Sequence, residues 1–469
     1  MEKLLPLLPE IMLFLGAVFC LIMELLGKER QYMFAIAIGA LLVSLEGVIA
    51  SAVVLPVFAG VIFAGGFAFD SLALLVKGIC IVGMILISLI SARYMRGREY
   101  EGEYYLFLLL STLALCLLAS AYDLLFLYIS IEFLSISSYI LTGYLRDNPK
   151  SGESALKYFL FGVVLSATML YGLSIIYGIS GGTSFSAISL SLKESQAAKL
   201  AFILVLAGFG FKLAIVPFHM WVPDVFEGAP TPISALLSVF PKLSAFLAFY
   251  RFLNQCLGGK EWVLLIAWLS VLTMTLGNLI AIQQRNVKRL LGYSTIAHAG
   301  YLLIALALST GYWGKFSLFF YFLPYMFANI GAFAVAIAVY LKEGKEDLED
   351  FRGLSRRSPF SALAMVIFLL SLIGIPGTGG FVGKFFIFAT AIKGEMGWLA
   401  VILLLNSVLS AFYYLKIVRE MFIAEEGKKR IEEPFTLKFA LGICLSFTLL
   451  LMFYPQPFIN LVQASLSSF

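Results

Sequence analysis

An all-α integral membrane protein with about 14 transmembrane helices is predicted by three features of this chain. The 469 residues are 61% hydrophobic and only 13% charged, and mean hydropathy is +0.96, a composition no water-soluble globular domain carries. Apolar runs of about 20 residues, the length that crosses the hydrocarbon layer, follow one another almost without interruption. Between them, lysine and arginine are alternately dense and sparse, the mark of a multi-spanning topology.

The runs are 4–26, 32–54, 71–92, 104–121, 123–145, 154–177, 199–226, 231–253, 262–282, 290–309, 316–342, 359–393, 397–420 and 436–459. The first contains Glu10 and Glu24 and lacks a basic leader and a small-residue cleavage site, so it reads as a retained helix. The stretch 55–70 is Gly-rich with alternating aromatics and reads as a small exposed hairpin rather than a crossing. With the N-terminus outside, the segments 27–31, 92–103, 145–153, 283–289, 342–358 and 416–430 lie inside and hold about twenty of the 33 lysines and arginines. Both termini are therefore expected on the periplasmic side of a cell inner membrane.

Two runs are too long for a simple crossing and contain helix breakers: 199–226, with Pro217 and Pro223, and 359–393, with Pro376 inside GIPGTGG. Proline removes a backbone donor and clashes with the preceding turn. The carbonyls it frees are tolerated at membrane depth only inside protein or beside water. Both broken runs take the fourth place in five-helix blocks that enter from opposite sides. The expected organisation is an N-terminal three-helix segment (1–103), a first five-helix repeat (104–253), a second, inverted repeat (254–424) and a C-terminal helix (425–469). Inverted repeats with paired discontinuous helices mark a transporter-like core.

Glu132, Lys157, Lys212, Lys242 and Lys384 interrupt apolar runs. A charge near the bilayer centre costs about 2.5–3.5 kcal/mol, so five left alone would cost on the order of 15 kcal/mol. They must pair, neutralise or line a wet path, which points to ion transport. A dry site favours neutral lysine and a nearby carboxylate favours the charged form. An opposed pair such as Glu132 and Lys212 therefore toggles between holding and releasing a proton. Lys157, near the inner end of its helix, reads either as a snorkelling residue or as a relay. His219 stands beside the first break, and His298 reads either as a relay or as an interhelical hydrogen bonder. Lys77 reads as structural, and Glu10, Glu24, Asp70 and Asp123 as interfacial. The five cysteines are scattered and there are only two histidines, so no metal site and no cofactor are expected in this chain. The net charge of +5 reflects orientation in the membrane and gives no support to nucleic-acid binding.

Three blocks carry a family resemblance. FKLAIVPFHMWVPDVFEGAPTPISALLS (211–238), QQRNVKRLLGYSTIAHAGYLL (283–303) and IPGTGGFVGKFFIF (375–388) resemble the antiporter-like subunits of respiratory complex I and the related cation/proton antiporters. DVFEGAPTP and IEFLSISSYILTGYLR (131–146) are most similar to the N-type subunits of the proton-pumping NADH:quinone oxidoreductase. The resemblance implies that Glu132 modulates Lys212, that Lys242 lies on a central hydrophilic axis, and that Lys384 faces the exit. Lys157 and His298 would link these groups along the membrane plane. It further implies a non-redox subunit with M-like and small K-like membrane neighbours, NADH and quinone being bound by other subunits. A subunit of a multisubunit cation/proton antiporter is the alternative. Sodium prefers oxygen ligands, and the axis is rich in lysine and poor in carboxylates.

Overall fold

The computed structural model describes residues 2–26, 32–63, 65–98, 100–188, 196–257, 261–423 and 430–466. The expected inside segment 27–31 and the expected domain boundary at 424 and 425 lie outside these residues.

Helices α1 (Leu8–Leu25) and α2 (Met33–Phe58) lead into an antiparallel hairpin of β1 (Gly60–Ile62) and β2 (Phe67–Phe69), and then into α3 (Ser71–Met95). There follow α4 (Glu101–Ala119), α5 (Leu124–Thr142), α6 (Pro149–Ser180), the single turn α7 (Phe185–Ile188), α8 (Gln196–Leu213), the short α9 (Val222–Gly228) and α10 (Thr231–Phe252). The remainder comprises α11 (Glu261–Ala281), α12 (Val287–Ala307), α13 (Tyr312–Glu343), α14 (Leu354–Arg357), α15 (Pro359–Ile373), α16 (Gly379–Lys393), α17 (Gly397–Phe422), α18 (Phe435–Phe453) and α19 (Gln456–Leu466).

Among the described residues, 13 helices are long and apolar enough to cross a membrane. The other predicted crossing, 359–393, is made in two halves, α15 and α16, of 15 residues each. The all-α, multi-pass architecture is the one the composition predicts. A hairpin does form within 55–70, but only β1 is exposed; Phe67, Ala68 and Phe69 of β2 are buried.

Helix starts follow local chemistry. The Asp70 carboxylate accepts from Ala73 N at 2.6 Å and caps α3, and Asp123 accepts from Leu125 N at 2.8 Å to cap α5, each satisfying an orphan amide. Pro149 and Pro359 open α6 and α15, where a missing N–H loses nothing. The windows of α10, α12 and α13 that could cross a membrane are buried within the protein along their whole length. Polar side chains within these windows therefore face other helices.

The two predicted breaks are present. α8 stops at Leu213, where Ala214 takes a left-handed φ of 60°, and the chain runs irregularly to α9. Pro223 is not a second breaker. It sits in the first turn of α9, the position where proline suits a helix start. α15 stops at Ile373, and Gly374 takes a φ of 89°. A Cβ on Gly374 would fall 2.8 Å from Lys384 Cδ, so glycine is needed here both for its backbone and for the lysine that packs over it.

Candidate functional site

The breaks free backbone groups, and specific side chains take them. Phe211 O, at the end of α8, accepts from Ala214 N at 3.1 Å and also from Trp221 Nε1 at 3.2 Å. Val216 N, inside the break, donates to Thr273 Oγ1 at 3.1 Å. At the second break Ile373 O accepts from Lys384 Nζ at 2.9 Å, and Lys384 also reaches Ser407 Oγ at 3.3 Å. The second lysine is thus held by the carbonyl its own helix break exposes.

Lys212, in the last turn of α8, is 2% exposed and donates to Ser135 Oγ on α5 at 2.8 Å. Glu132 lies one turn away from Ser135 on α5. Its Oε1 is buried without a hydrogen-bond partner among the described residues. Ser135 therefore takes the ammonium's hydrogen bond while the carboxylate is held back.

Lys242 is 1% exposed on α10 and donates to Ser238 O at 3.4 Å. The same carbonyl accepts from Tyr325 OH at 3.2 Å, and Tyr325 OH is also 3.2 Å from Thr295 Oγ1. Asn329 Nδ2 holds Ser238 Oγ at 2.9 Å. Beyond Tyr325, whose ring centroid lies 4.8 Å away, is His298. Its Nδ1 is 2.6 Å from Tyr321 OH and its Nε2 is 3.3 Å from Tyr414 OH. The Tyr301 ring lies between this imidazole, at 5.4 Å, and the Lys384 ammonium, at 4.5 Å. A buried row of hydroxyl, imidazole and ammonium groups thus runs from Lys242 past His298 to Lys384, with ring contacts rather than hydrogen bonds joining Tyr325 to His298 and Tyr301 to both His298 and Lys384. No hydrogen bond joins Lys212 to Lys242 directly.

A polar stripe approaches Lys242 from one end of α10. Thr231, Ser234, Ser238 and Lys242 are all buried, and spacings of three, four and four put them on one helix face. Thr231 Oγ1 donates to Glu346 Oε1 at 2.5 Å, and Lys288 Nζ lies 3.6 Å from the same oxygen. At the surface nearby is a charged cavity of about 200 Å³ lined by Lys150, Glu153, Lys157, Asp224, Glu227 and Arg289. Lys157 belongs to this cluster. It is half-exposed, 2.6 Å from Glu153 and 2.7 Å from Asp224, and so stands apart from the buried line. His219 lies within the first break, buried, with Nδ1 unpartnered among the described residues.

Burial alone would raise the Glu227 carboxyl, but hydrogen bonds from Lys150 and Arg289 outweigh it and hold the group below its ordinary value. A depressed carboxyl contributes stability above its unfolded value of about 4.3, which is lost as pH falls through the folded value. The links among α6, α9 and α12 should therefore hold at neutral pH and loosen only in stronger acid. Hydrogen exchange of α9 as a function of pH checks this, and loosening already near pH 6 would contradict it.

Two residues expected at the interface are buried instead. Glu10 is 4% exposed and pairs with Lys77 at 2.7 Å. Asp70 is 7% exposed and pairs with Arg251 at 2.7 Å. Both lie near helix ends, but neighbouring helices cover those ends. Arg251, Lys288, Glu346 and the tyrosines around His298 give no signal in the sequence, because each gains its meaning from a residue far along the chain.

The family described as "NADH:quinone oxidoreductase/Mrp antiporter, TM" matches residues 121–410. The chain is 38% identical over 466 residues to NADH-quinone oxidoreductase subunit N of Desulfitobacterium hafniense, covering 94% of this chain and 93% of that relative. It is 38% identical over 418 residues to F(420)H(2) dehydrogenase subunit N of Methanosarcina mazei, covering 86% of this chain and 85% of that one. Among solved structures it is similar to a chain of respiratory complex I from Thermus thermophilus, with a TM-score of 0.83, 30% identity and coverage of 97% and 99%.

Proposed function

From the premise that this chain belongs to the NADH:quinone oxidoreductase/Mrp antiporter transmembrane family, we propose that it is the proton-translocating N-type membrane subunit of a quinone-reducing respiratory complex. It carries no redox step. Quinone reduction elsewhere in the assembly drives protons through the buried line. Its partners are M-like and small K-like membrane subunits, and it resides in the cell inner membrane with both termini on the periplasmic side. The two broken helices belong to inverted five-helix repeats, 104–253 and 254–424, flanked by segments 1–103 and 425–469.

The observation that carries this reading is the buried line from Lys242 through Ser238, Tyr325, His298 and Tyr301 to Lys384. The Tyr325 hydroxyl and the His298 imidazole both donate and accept, so each can pass a proton on, and water carries it across the steps made by ring contact or by the Ser238 carbonyl. Protons enter past Glu346 and along Thr231, Ser234 and Ser238 to Lys242. Glu132 sets when Lys212 holds a proton, and water bridges Lys212 to Lys242. The Lys384 end provides release, where the ammonium leans on the carbonyl of Ile373 and on Ser407.

Replacing Lys242 with alanine in the assembled complex should reduce coupled quinone reduction by about 10²-fold while the complex still assembles. Proton pumping by the unaltered complex should persist in sodium-free medium. A strict sodium requirement would instead favour a cation/proton antiporter subunit.

A further inference from the structure

The hairpin end of the bundle holds two buried ion pairs of different character. Asp70 and Arg251 are richly hydrogen-bonded: the carboxylate takes two arginine contacts, at 2.7 and 3.0 Å, and caps Ala73 N, while the guanidinium also donates to Ala119 O at 2.6 Å. Such a pair is fixed, because arginine does not give up its proton. Glu10 and Lys77 are bare. Their side chains are 5% and 0% exposed, and their nitrogen and oxygen are 2.7 Å apart. Apart from that contact, neither carboxylate oxygen nor the ammonium has a hydrogen-bond partner among the described residues.

The surroundings offer little else to either charge. The Phe67 ring lies 4.6 Å from Lys77 Nζ. Pro9, beside Glu10, is so close to Gly47 of α2 that a Cβ there would fall 3.2 Å from Pro9 N. One turn deeper on α3, Cys80 meets Ser244 of α10, two residues from Lys242, at 3.6 Å. Burying two opposite charges with so few hydrogen bonds is expensive, and apolar residues of the same volume would hold the helices at least as well.

We propose that Glu10 and Lys77 form a second proton-exchanging site, built by the N-terminal helices and separate from the line between Lys242 and Lys384. In a dry site the ion pair competes with its neutral form. One proton moves from Lys77 Nζ to Glu10 Oε1, an N–H bond breaks as an O–H bond forms, and both charges vanish. The neutral pair then accepts one proton from hydronium on the lysine nitrogen, leaving water and becoming ammonium beside carboxylic acid, and returns it to water as hydronium on relaxation. Atoms and charge balance with water and hydronium as the only other species. The inference rests on the proton-translocating reading above and extends it to α1 and α3, which that reading leaves idle.

The test compares Lys77→Arg with the neutral double variant Glu10→Gln and Lys77→Met in membranes carrying the assembled complex. Arginine keeps the ion pair and its structural role but cannot release a proton. We expect both variants to assemble at wild-type levels and coupled turnover to fall about tenfold in each. Wild-type turnover in Lys77→Arg would overturn the proposal and leave the pair as a fastener between helices. Should Lys77→Arg not assemble, the double variant decides on the same criterion. Failure of both to assemble would also assign the pair to holding the helices and overturn the proposal. A Lys212→Ala control separates the two readings. Loss of turnover there with normal Lys77→Arg defeats only this inference, whereas normal Lys212→Ala defeats the reading on which it rests.

Discussion

Lys212→Ala and Glu132→Ala are each expected to reduce coupled quinone reduction by about 10²-fold while leaving the assembled complex intact. The lysine sits in the last turn before the first helix break, and Ser135 takes its hydrogen bond at 2.8 Å. That leaves the Glu132 charge close enough to bias the ammonium without locking it into a contact pair. Removing the lysine deletes the carrier, and removing the glutamate deletes the bias. Arg146→Ala is the matched control. Its bond to Glu103, at 3.2 Å, is exposed, and such pairs contribute at most about 1 kcal/mol. Turnover and assembled amounts, measured on the same membranes, separate a lost proton step from a lost fold.

The largest effect on stability is expected from Arg251→Leu. Asp70 would remain buried with its charge uncompensated, and breaking a buried pair from one side costs about 3–5 kcal/mol. The chain should become scarce in membranes, and whatever assembles should unfold at a clearly lower temperature. Adding Asp70→Asn should recover much of the loss, because asparagine keeps the cap on Ala73 N and removes the stranded charge. A double variant no better than Arg251→Leu alone would show that packing of the arginine stem, not the charge, is what matters.

How far the sequence revealed this molecule depended on contrast. Glu132, Lys212, Lys242 and Lys384 were legible because a charge inside an apolar run has no cheap explanation. Tyr301, Tyr321, Tyr325 and Tyr414 were not, since among 43 phenylalanines and 22 tyrosines a phenol reads as apolar filler until packing aligns the hydroxyls. Nearness to a helix end did not reveal that Glu10 and Asp70 are buried, because neighbouring helices cover the ends of α1 and α3. Both prolines in 199–226 read as breakers, yet the missing N–H matters only within a helix, and Pro223 lies in the first turn of α9. Lys157 lies toward the N-terminal end of α6, and only the fold could pair it with Asp224 of α9, 67 positions away.

The central claim is that buried basic side chains bind and release protons along one connected route. The segment between Lys212 and Lys242 tests it most directly, because no hydrogen bond among the described residues closes that gap. A high-resolution cryo-EM map of the assembled complex should show ordered water joining the two ammonium groups. Apolar side chains packed without water between them would contradict the account.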